Sequence, residues 1–280
     1  MYTLNCKGKL LSLQTPVVMG IINATPDSFA GGHLTMGIDA MVALAGQMLA
    51  DGAAILDIGG QSTRPGSQPL TAAEEAARVL PVIAAISRQY PQAIISIDTY
   101  FSQVALAAVQ AGAHMVNDIS AGDMDSQMMA CIAPLNTPYI CMHMQGTPLT
   151  MQQQPAYKDI TLEVLDYFIQ KIADCKRAGI HDVIIDPGFG FGKTIQHNFR
   201  LLQQLSVFSA VNCPLLVGLS RKSTIYKTLG ITAHEALNGT TVLNTLALQQ
   251  GANLLRVHDV KEAVQAVQLF TALQQASMPA

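Results

Sequence analysis

The sequence predicts an α/β chain folded as one (β/α)8 barrel with an N-terminal β-hairpin. Eight short apolar runs recur along the 280 residues, segments with helical period lie between them, and the scarce polar groups gather just after the runs. The runs fall at 17–22, 53–58, 93–97, 114–116, 138–142, 183–185, 215–218 and 253–257. They lack polar alternation, as parallel strands covered on both faces do.

Helical period marks 39–50, 72–87, 102–111, 162–178, 235–250 and 261–273. Several of these segments stop at a glycine before the next run, as in Asp51-Gly52-Ala53, Ala111-Gly112-Ala113, Ala178-Gly179-Ile180 and Gln250-Gly251-Ala252. Glycine caps a helix there because it takes the left-handed conformation without strain. Eight strand–helix units at this length favour the TIM barrel over a doubly wound open sheet, which usually has fewer strands. Residues 1–14, centred on Lys7-Gly8-Lys9, read as a hairpin ahead of the first barrel strand. No linker or low-complexity segment divides the chain, so a single domain over 1–280 is expected.

Half of the chain is hydrophobic and only 12% is charged, which raises the question of a membrane span. Residues 201–220 and 236–255 carry no Asp, Glu, Lys or Arg. The first holds Gln203, Gln204, Asn212 and Pro214, and the second holds Asn238, Asn244, Gln249, Gln250 and Asn253. Neither suits the apolar stretch of about 20 residues that a spanning helix needs. A net charge of −3 without a basic run argues against nucleic acid or an anionic membrane surface as partner. Cys6, Cys131, Cys141, Cys175 and Cys213 form no CxxC pair and read as buried free thiols of a cytoplasmic protein without an export signal.

A barrel carries its chemistry at the C-terminal ends of its strands. There the sequence places Asn23, the stretch Asp57-Ile58-Gly59-Gly60-Gln61-Ser62-Thr63-Arg64-Pro65-Gly66, Asp98, Asn117-Asp118, His143, Asp186, Ser220-Arg221-Lys222-Ser223 and Arg256-Val257-His258-Asp259. Asp98, Asn117 and Asp186 offer acceptors and an amide for the adjacent N–H groups of a flat amino-pyrimidinone such as guanine or pterin. Lys222 offers donors to a ring carbonyl or nitrogen. Arg256 and His258 lie two apart and share one strand face; with Thr63, Asn23 and the glycine-rich turns they suit a phosphate or diphosphate. The stretch Gly188-Phe189-Gly190-Phe191-Gly192-Lys193-Thr194 imitates a phosphate-binding loop, but Pro187 occupies the first glycine position. It remains a glycine-lined ligand loop with an aromatic wall. His143 and His258 lack the spacing of a transition-metal site, whereas magnesium held through Asn23, a diphosphate and water would leave little trace in sequence.

In register along nearly the whole chain, these motifs resemble the dihydropteroate synthase family of pterin-binding barrels. The resemblance rests on Met19-Gly20-Ile21-Ile22-Asn23-Ala24-Thr25-Pro26-Asp27-Ser28-Phe29, the second-loop stretch 57–66, Ser96-Ile97-Asp98-Thr99, Val116-Asn117-Asp118-Ile119, Met142-His143-Met144-Gln145-Gly146-Thr147-Pro148, Asp186-Pro187-Gly188-Phe189-Gly190-Phe191-Gly192-Lys193, Gly218-Leu219-Ser220-Arg221-Lys222-Ser223 and Arg256-Val257-His258-Asp259-Val260. The family condenses 6-hydroxymethyl-7,8-dihydropterin diphosphate with p-aminobenzoate, releasing pyrophosphate through a dissociative, cation-like step. The resemblance implies that Asp98, Asn117, Asp186 and Lys222 bind the pterin. It implies that Asn23, Thr63, Arg64, Arg256 and His258 hold the diphosphate, with Mg2+ at Asn23. Phe29, Pro65, Phe191, Lys222 and Ser223 would line the p-aminobenzoate pocket, where sulfonamides compete. Asn23, Lys222, Arg256 and His258 would form the catalytic set, and a homodimer through the outer helices is implied. The first loop departs from the family's Ser-Asp-Gly-Gly, reading Ala30-Gly31-Gly32-His33; Gln61 stands for the usual Glu and Ala24 for the usual Val.

Two other readings stay open on sequence alone. A methyltetrahydrofolate-dependent methyltransferase barrel shares the pterin residues but has no use for the 62–65 loop or the Arg256/His258 pair. A catalytically silent pterin-binding paralogue would keep the pocket without turnover.

Overall fold

The computed structural model describes residues 2–24, 37–61 and 69–276. The hairpin forms first in the chain: β1 (Thr3–Cys6) pairs antiparallel with β2 (Lys9–Ser12). Its two-residue turn places Lys7 at φ 52° and Gly8 at φ 89°, the twist that suits a tight hairpin. The Asn5 side chain closes it by accepting the Gly8 N–H at 2.7 Å.

Eight parallel strands follow: β3 (Val17–Asn23), β4 (Ile55–Gly59), β5 (Ile94–Asp98), β6 (Met115–Asp118), β7 (Tyr139–Met142), β8 (Val183–Asp186), β9 (Leu216–Val217) and β10 (Leu254–Val257). They pair in the order β8-β7-β6-β5-β4-β3-β10-β9. A parallel bridge between Ile185 and Leu215 joins the outermost strands, and the Ile185 N–H donates to Pro214 O at 3.0 Å. The sheet is thereby nearly closed into the expected barrel.

Side chains alternate along each strand, and the alternation sorts the two faces. Outward residues such as Val18, Leu56, Ile95, Val116, Cys141, Ile185, Val217 and Leu255 pack under the helices. Inward residues at the base form one apolar layer with a member from every strand: Met19, Ile55, Ile94, Met115, Ile140, Ile184, Leu216 and Leu254. Leu4, Cys6 and Leu13 of the hairpin region close this layer from below.

The helices α1 (Ile38–Ala50), α2 (Ala72–Gln89), α3 (Ser102–Ala111), α5 (Ile160–Ala178), α8 (Leu237–Gln249) and α9 (Val260–Ala276) match the periodic segments. The glycine stops are real: Gly52, Gly112, Gly179 and Gly251 lie at φ between 91° and 122°. Short α4 (Met128–Ile132), α6 (Ile195–Gln203) and α7 (Ser223–Leu229) were not expected from periodicity. Helix α6 starts at a capping box in which Thr194 pairs with His197; the usual partner three residues on is Glu or Gln, so the signal was hidden. Cys6, Cys141 and Cys175 are buried as expected, whereas Cys131 and Cys213 are only half-buried; all five are free thiols. Among the described residues no helix is long and apolar enough to cross a membrane.

Leu4 is 2% exposed and plugs the barrel base, far in sequence from the strand ends that carry polar groups. Leu4→Ala is expected to lower unfolding free energy by about 2–4 kcal/mol in chemical denaturation while leaving ligand affinity at the opposite mouth unchanged. Loss of affinity equal to the loss of stability would contradict that separation.

Candidate active site

Two residues beyond the apolar base layer, the inward positions become Ile21, Asp57, Ser96, Asn117, Met142, Asp186, Gly218 and Arg256. One step along the strands, the barrel interior changes from hydrocarbon to charge. The next inward positions include Asn23, Gly59, Asp98, Ser220 and His258. The period of two that makes a parallel strand also aims these groups at one chamber.

At its centre lies a buried ion-pair network. The Arg256 guanidinium donates through Nε to Asp57 Oδ2 at 2.6 Å and through Nη2 to Asp98 Oδ2 at 2.7 Å. Asn117 Nδ2 adds a second donor on Asp57 Oδ2 at 3.0 Å. The other Asp57 oxygen, Oδ1, is buried and accepts no hydrogen bond among the described residues. Burial, together with the charges of Asp57, Asp118 and Asp186, raises the Asp98 carboxyl to about 7 against the pull of Arg256. Burial works to lower the Arg256 pKa, but the carboxylates of Asp57 and Asp98 outweigh it and raise the guanidinium above its ordinary value.

Across the chamber, burial raises the Asp186 carboxyl, opposed by Lys222 and by the Gly188 N–H, which donates to Asp186 Oδ1 at 2.8 Å. Burial lowers the Lys222 ammonium to about 8, with Asp186 opposing and Arg256 reinforcing the shift. Lys222 Nζ donates to the carbonyl of Phe189 and sits 4.7 Å from the centre of the Phe191 ring. A cation over an aromatic face is an attractive contact, and it sets the flat wall beside the lysine. Ser223 opens α7 directly after Lys222.

The glycine-rich loop after β8 has a structural cause. A Cβ on Gly188, at φ 69°, would sit 2.0 Å from His143 O, and one on Gly192 would sit 2.5 Å from Gln145 O. Lys193 is the loop's internal anchor. Its buried nitrogen donates to Gly188 O and Phe191 O at 3.0 Å and to His143 O at 3.2 Å, and lies 2.9 Å from His143 Nδ1. Burial and the Lys193 charge lower the His143 pKa to about 2, so the ring is neutral. His143 therefore belongs to the loop's scaffold and not to the chamber.

Two more strand-end charges are scaffold. Asp118 faces outward from Asn117 and receives Ser120 N–H, Ser120 O–H, Gly122 N–H and Tyr139 O–H, each at 2.8 Å. Arg221 grips Asp259 through two hydrogen bonds of 2.7 and 2.8 Å. Of the residues expected in the site, Asp98, Asn117, Asp186, Lys222, Phe191, Ser223, Arg256, His258 and Asn23 lie at or just beyond the C-terminal ends of the strands, around one mouth. Phe29, Thr63, Arg64 and Pro65 lie outside the described residues.

Sequence reasoning gave no role to two acids near the strand ends. Asp57, two residues before Gly59, was detectable from strand period alone. Glu75 of α2 was hidden by its place on a helix: it is 1% exposed, accepts Thr99 Oγ1–H at 2.6 Å, and burial raises it to about 7. Among the described residues no group of three or more His, Cys, Asp or Glu side chains forms a metal cluster.

Comparison with known proteins gives the family of this barrel. The family model for "Pterin binding enzyme" matches residues 19–258. The chain is 44% identical over 268 residues to the dihydropteroate synthase of Escherichia coli K12, covering 95% of this chain and 94% of that one. The chain belongs to the pterin-binding enzymes, among the dihydropteroate synthases. Of solved structures, the Yersinia pestis dihydropteroate synthase with a sulfonamide drug superposes with a TM-score of 0.93 at 39% identity, covering 98% of this chain and all of that one. The Xanthomonas albilineans dihydropteroate synthase in complex with 7,8-dihydropteroate gives 0.88 at 37% identity, with 99% and 100% covered.

Replacing Lys193 by Ala would leave three carbonyls and a ring nitrogen without their hydrogen-bond partner. Lys193→Ala is expected to cost about 2–4 kcal/mol of stability by urea denaturation. A loss below about 0.5 kcal/mol, the range of an ordinary surface change, would refute the anchor role.

Proposed function

We infer that this chain is a dihydropteroate synthase, forming 7,8-dihydropteroate from 6-hydroxymethyl-7,8-dihydropterin diphosphate and p-aminobenzoate in folate synthesis. The observation that carries the reading is the convergence of Asp98, Asn117, Asp186 and Lys222 in one buried chamber. A methyltransferase barrel is disfavoured because the relatives matched along the whole chain are dihydropteroate synthases. The silent-paralogue reading differs only in turnover.

In this mechanism the ionised Asp186 and Asp98 accept N–H groups of the pterin, Asn117 supplies an amide, and Lys222 donates to the ring. These contacts hold the methylene carbon where the diphosphate can leave. The bond from that carbon to the bridging oxygen breaks with its electron pair on the oxygen, giving pyrophosphate and a pterin-stabilised cation. The p-aminobenzoate nitrogen then bonds to the carbon and loses a proton to solvent. Arg256, His258 and Asn23, with Thr63 and Arg64, are assigned to the departing anion, where fixed donors lower the barrier most. Phe29, Pro65, Phe191, Lys222 and Ser223 are assigned to the arylamine, and sulfonamides are expected to compete there.

The described donor set fits magnesium only modestly: Asn23 offers one hard oxygen, without an acidic cluster beside it. Mg2+ commonly keeps waters and takes most of its other ligands from substrate phosphates. When bound with the diphosphate, it would neutralise charge on the leaving group. We assign it to Asn23 on that basis. A homodimer is supported by the exposed pairs Val242 and Leu246 on α8 and Leu269 and Leu273 on the neighbouring α9. One domain over 1–280 and a cytoplasmic setting, with five free thiols, complete the reading.

Purified protein with both substrates and Mg2+ is expected to form dihydropteroate; pterin binding without product would favour the silent paralogue. Asp186→Ala is expected to weaken pterin binding by about 2–4 kcal/mol, and unchanged affinity in calorimetry would remove the assignment. Asp98 must be ionised to accept and loses that form as pH falls through about 7. Lys222 holds the ring most strongly as an ammonium and loses that charge as pH rises through about 8. The profile of kcat/KM for the pterin substrate, which reports the free enzyme, is expected to peak between those values. A flat profile from about pH 6 to 9 would contradict these roles.

A further inference from the structure

The ends of β9 and β10 are tied together residue by residue. Ser220 Oγ accepts the backbone N–H of His258 at 3.1 Å and lies 2.9 Å from His258 Nδ1. One residue on, Arg221 closes its two-point pair on Asp259, and the Arg221 N–H donates to Thr240 Oγ1 at 3.0 Å. Two successive cross-links therefore fix the strand ends that present Lys222 and Arg256.

The first cross-link also decides a proton position. A serine hydroxyl has one proton and two lone pairs. The His258 N–H occupies one lone pair of Ser220, which is 5% exposed. If the hydroxyl donates to Nδ1, both the hydroxyl proton and the ring nitrogen are satisfied. If Nδ1–H donated instead, the hydroxyl proton would be left in a buried place without an acceptor among the described residues, an imbalance that sets the tautomer. The imidazole then keeps its proton on Nε2, the nitrogen away from Ser220.

We propose that Ser220 is a positioning residue for His258, fixing the neutral Nε2–H tautomer so that the ring meets the departing diphosphate as a hydrogen-bond donor. This rests on the assignment of His258 to the diphosphate. As the carbon–oxygen bond breaks and its electron pair stays with the bridging oxygen, Nε2–H donates to the growing negative charge, and no proton has to leave the ring. The opposite tautomer would turn a nitrogen lone pair toward an anion, an arrangement that repels where it should stabilise.

The test compares the full-length protein with Ser220→Ala, Ser220→Thr, His258→Ala and the Ser220→Ala/His258→Ala double variant. Ser220→Ala is expected to lower kcat about tenfold, the value of one hydrogen bond, with KM for p-aminobenzoate changed by less than about twofold. Ser220→Thr keeps the hydroxyl and is expected to restore kcat. In the double variant, Ser220→Ala is expected to add nothing to the loss from His258→Ala. Nitrogen-15 NMR of histidine-labelled protein, with His258 assigned by its loss in His258→Ala, is expected to show a protonated Nε2 and a bare Nδ1. In Ser220→Ala the two tautomers are expected to mix. A wild-type ring protonated on Nδ1, or losses that simply multiply in the double variant, would overturn the proposal. The NMR signal needs no turnover, so a wild type that makes no dihydropteroate would defeat the functional reading while the tautomer still decides the role of Ser220.

Discussion

The guanidinium of Arg256, held between the carboxylates of Asp57 and Asp98, is the interaction on which the chamber depends. Asp57 and Asp98 come from neighbouring strands, and both are withdrawn from water. Two such carboxylates repel, and burial drives Asp98 toward its neutral form. One cation reaching from β10 across the interior offsets both effects and fixes where the Asp98 oxygens point. The arrangement is a poor device for stability, because desolvating an ion pair commonly costs as much as it returns. It makes sense as preorganisation: Asp98 is kept ionisable near neutral pH, with its geometry set before a ligand arrives.

The rest of the mouth supports that network from the side. The glycine-rich loop approaches the chain after β7 too closely for any side chain at Gly188 or Gly192. Lys193 pins this loop from inside, and the loop in turn gives Lys222 its carbonyl acceptor and its aromatic neighbour. Lysines on adjacent parts of the mouth thus do different work. Lys193 has its donors consumed by backbone and His143, whereas Lys222 stands beside Asp186 at the ligand face. The apolar base layer, sealed by the hairpin, isolates this charge from the opposite end of the barrel.

Much of this was legible in the residues themselves. Unbroken apolar runs identified the barrel strands because both faces of a parallel strand are covered. Polar residues just beyond them marked the mouth. The same rule overcounted, since position after a strand does not say which way a side chain turns. Asp118 follows Asn117 by one residue and faces outward into a set of backbone and hydroxyl donors. His143 and Arg221 are likewise absorbed by the scaffold. The rule also said too little: Glu75 reaches Thr99 from a helix, and Asp57, found at the second strand end, sits one layer deeper as the partner of Arg256. Short helices such as α6 escaped because nine residues carry little periodic signal and its capping partner is a histidine.

The central claim is that Arg256 serves pterin recognition through Asp57 and Asp98, in addition to any contact with diphosphate. Calorimetric binding of 6-hydroxymethyl-7,8-dihydropterin, which lacks the diphosphate, to wild type and Arg256→Met tests it most directly. Loss of the guanidinium is expected to weaken binding about tenfold or more near pH 7.5 and to move the acid limb of binding to higher pH, as Asp98 loses its counter-charge. Equal affinity and an unmoved limb would show that Arg256 acts on the diphosphate alone and that the buried network does not set the pterin site.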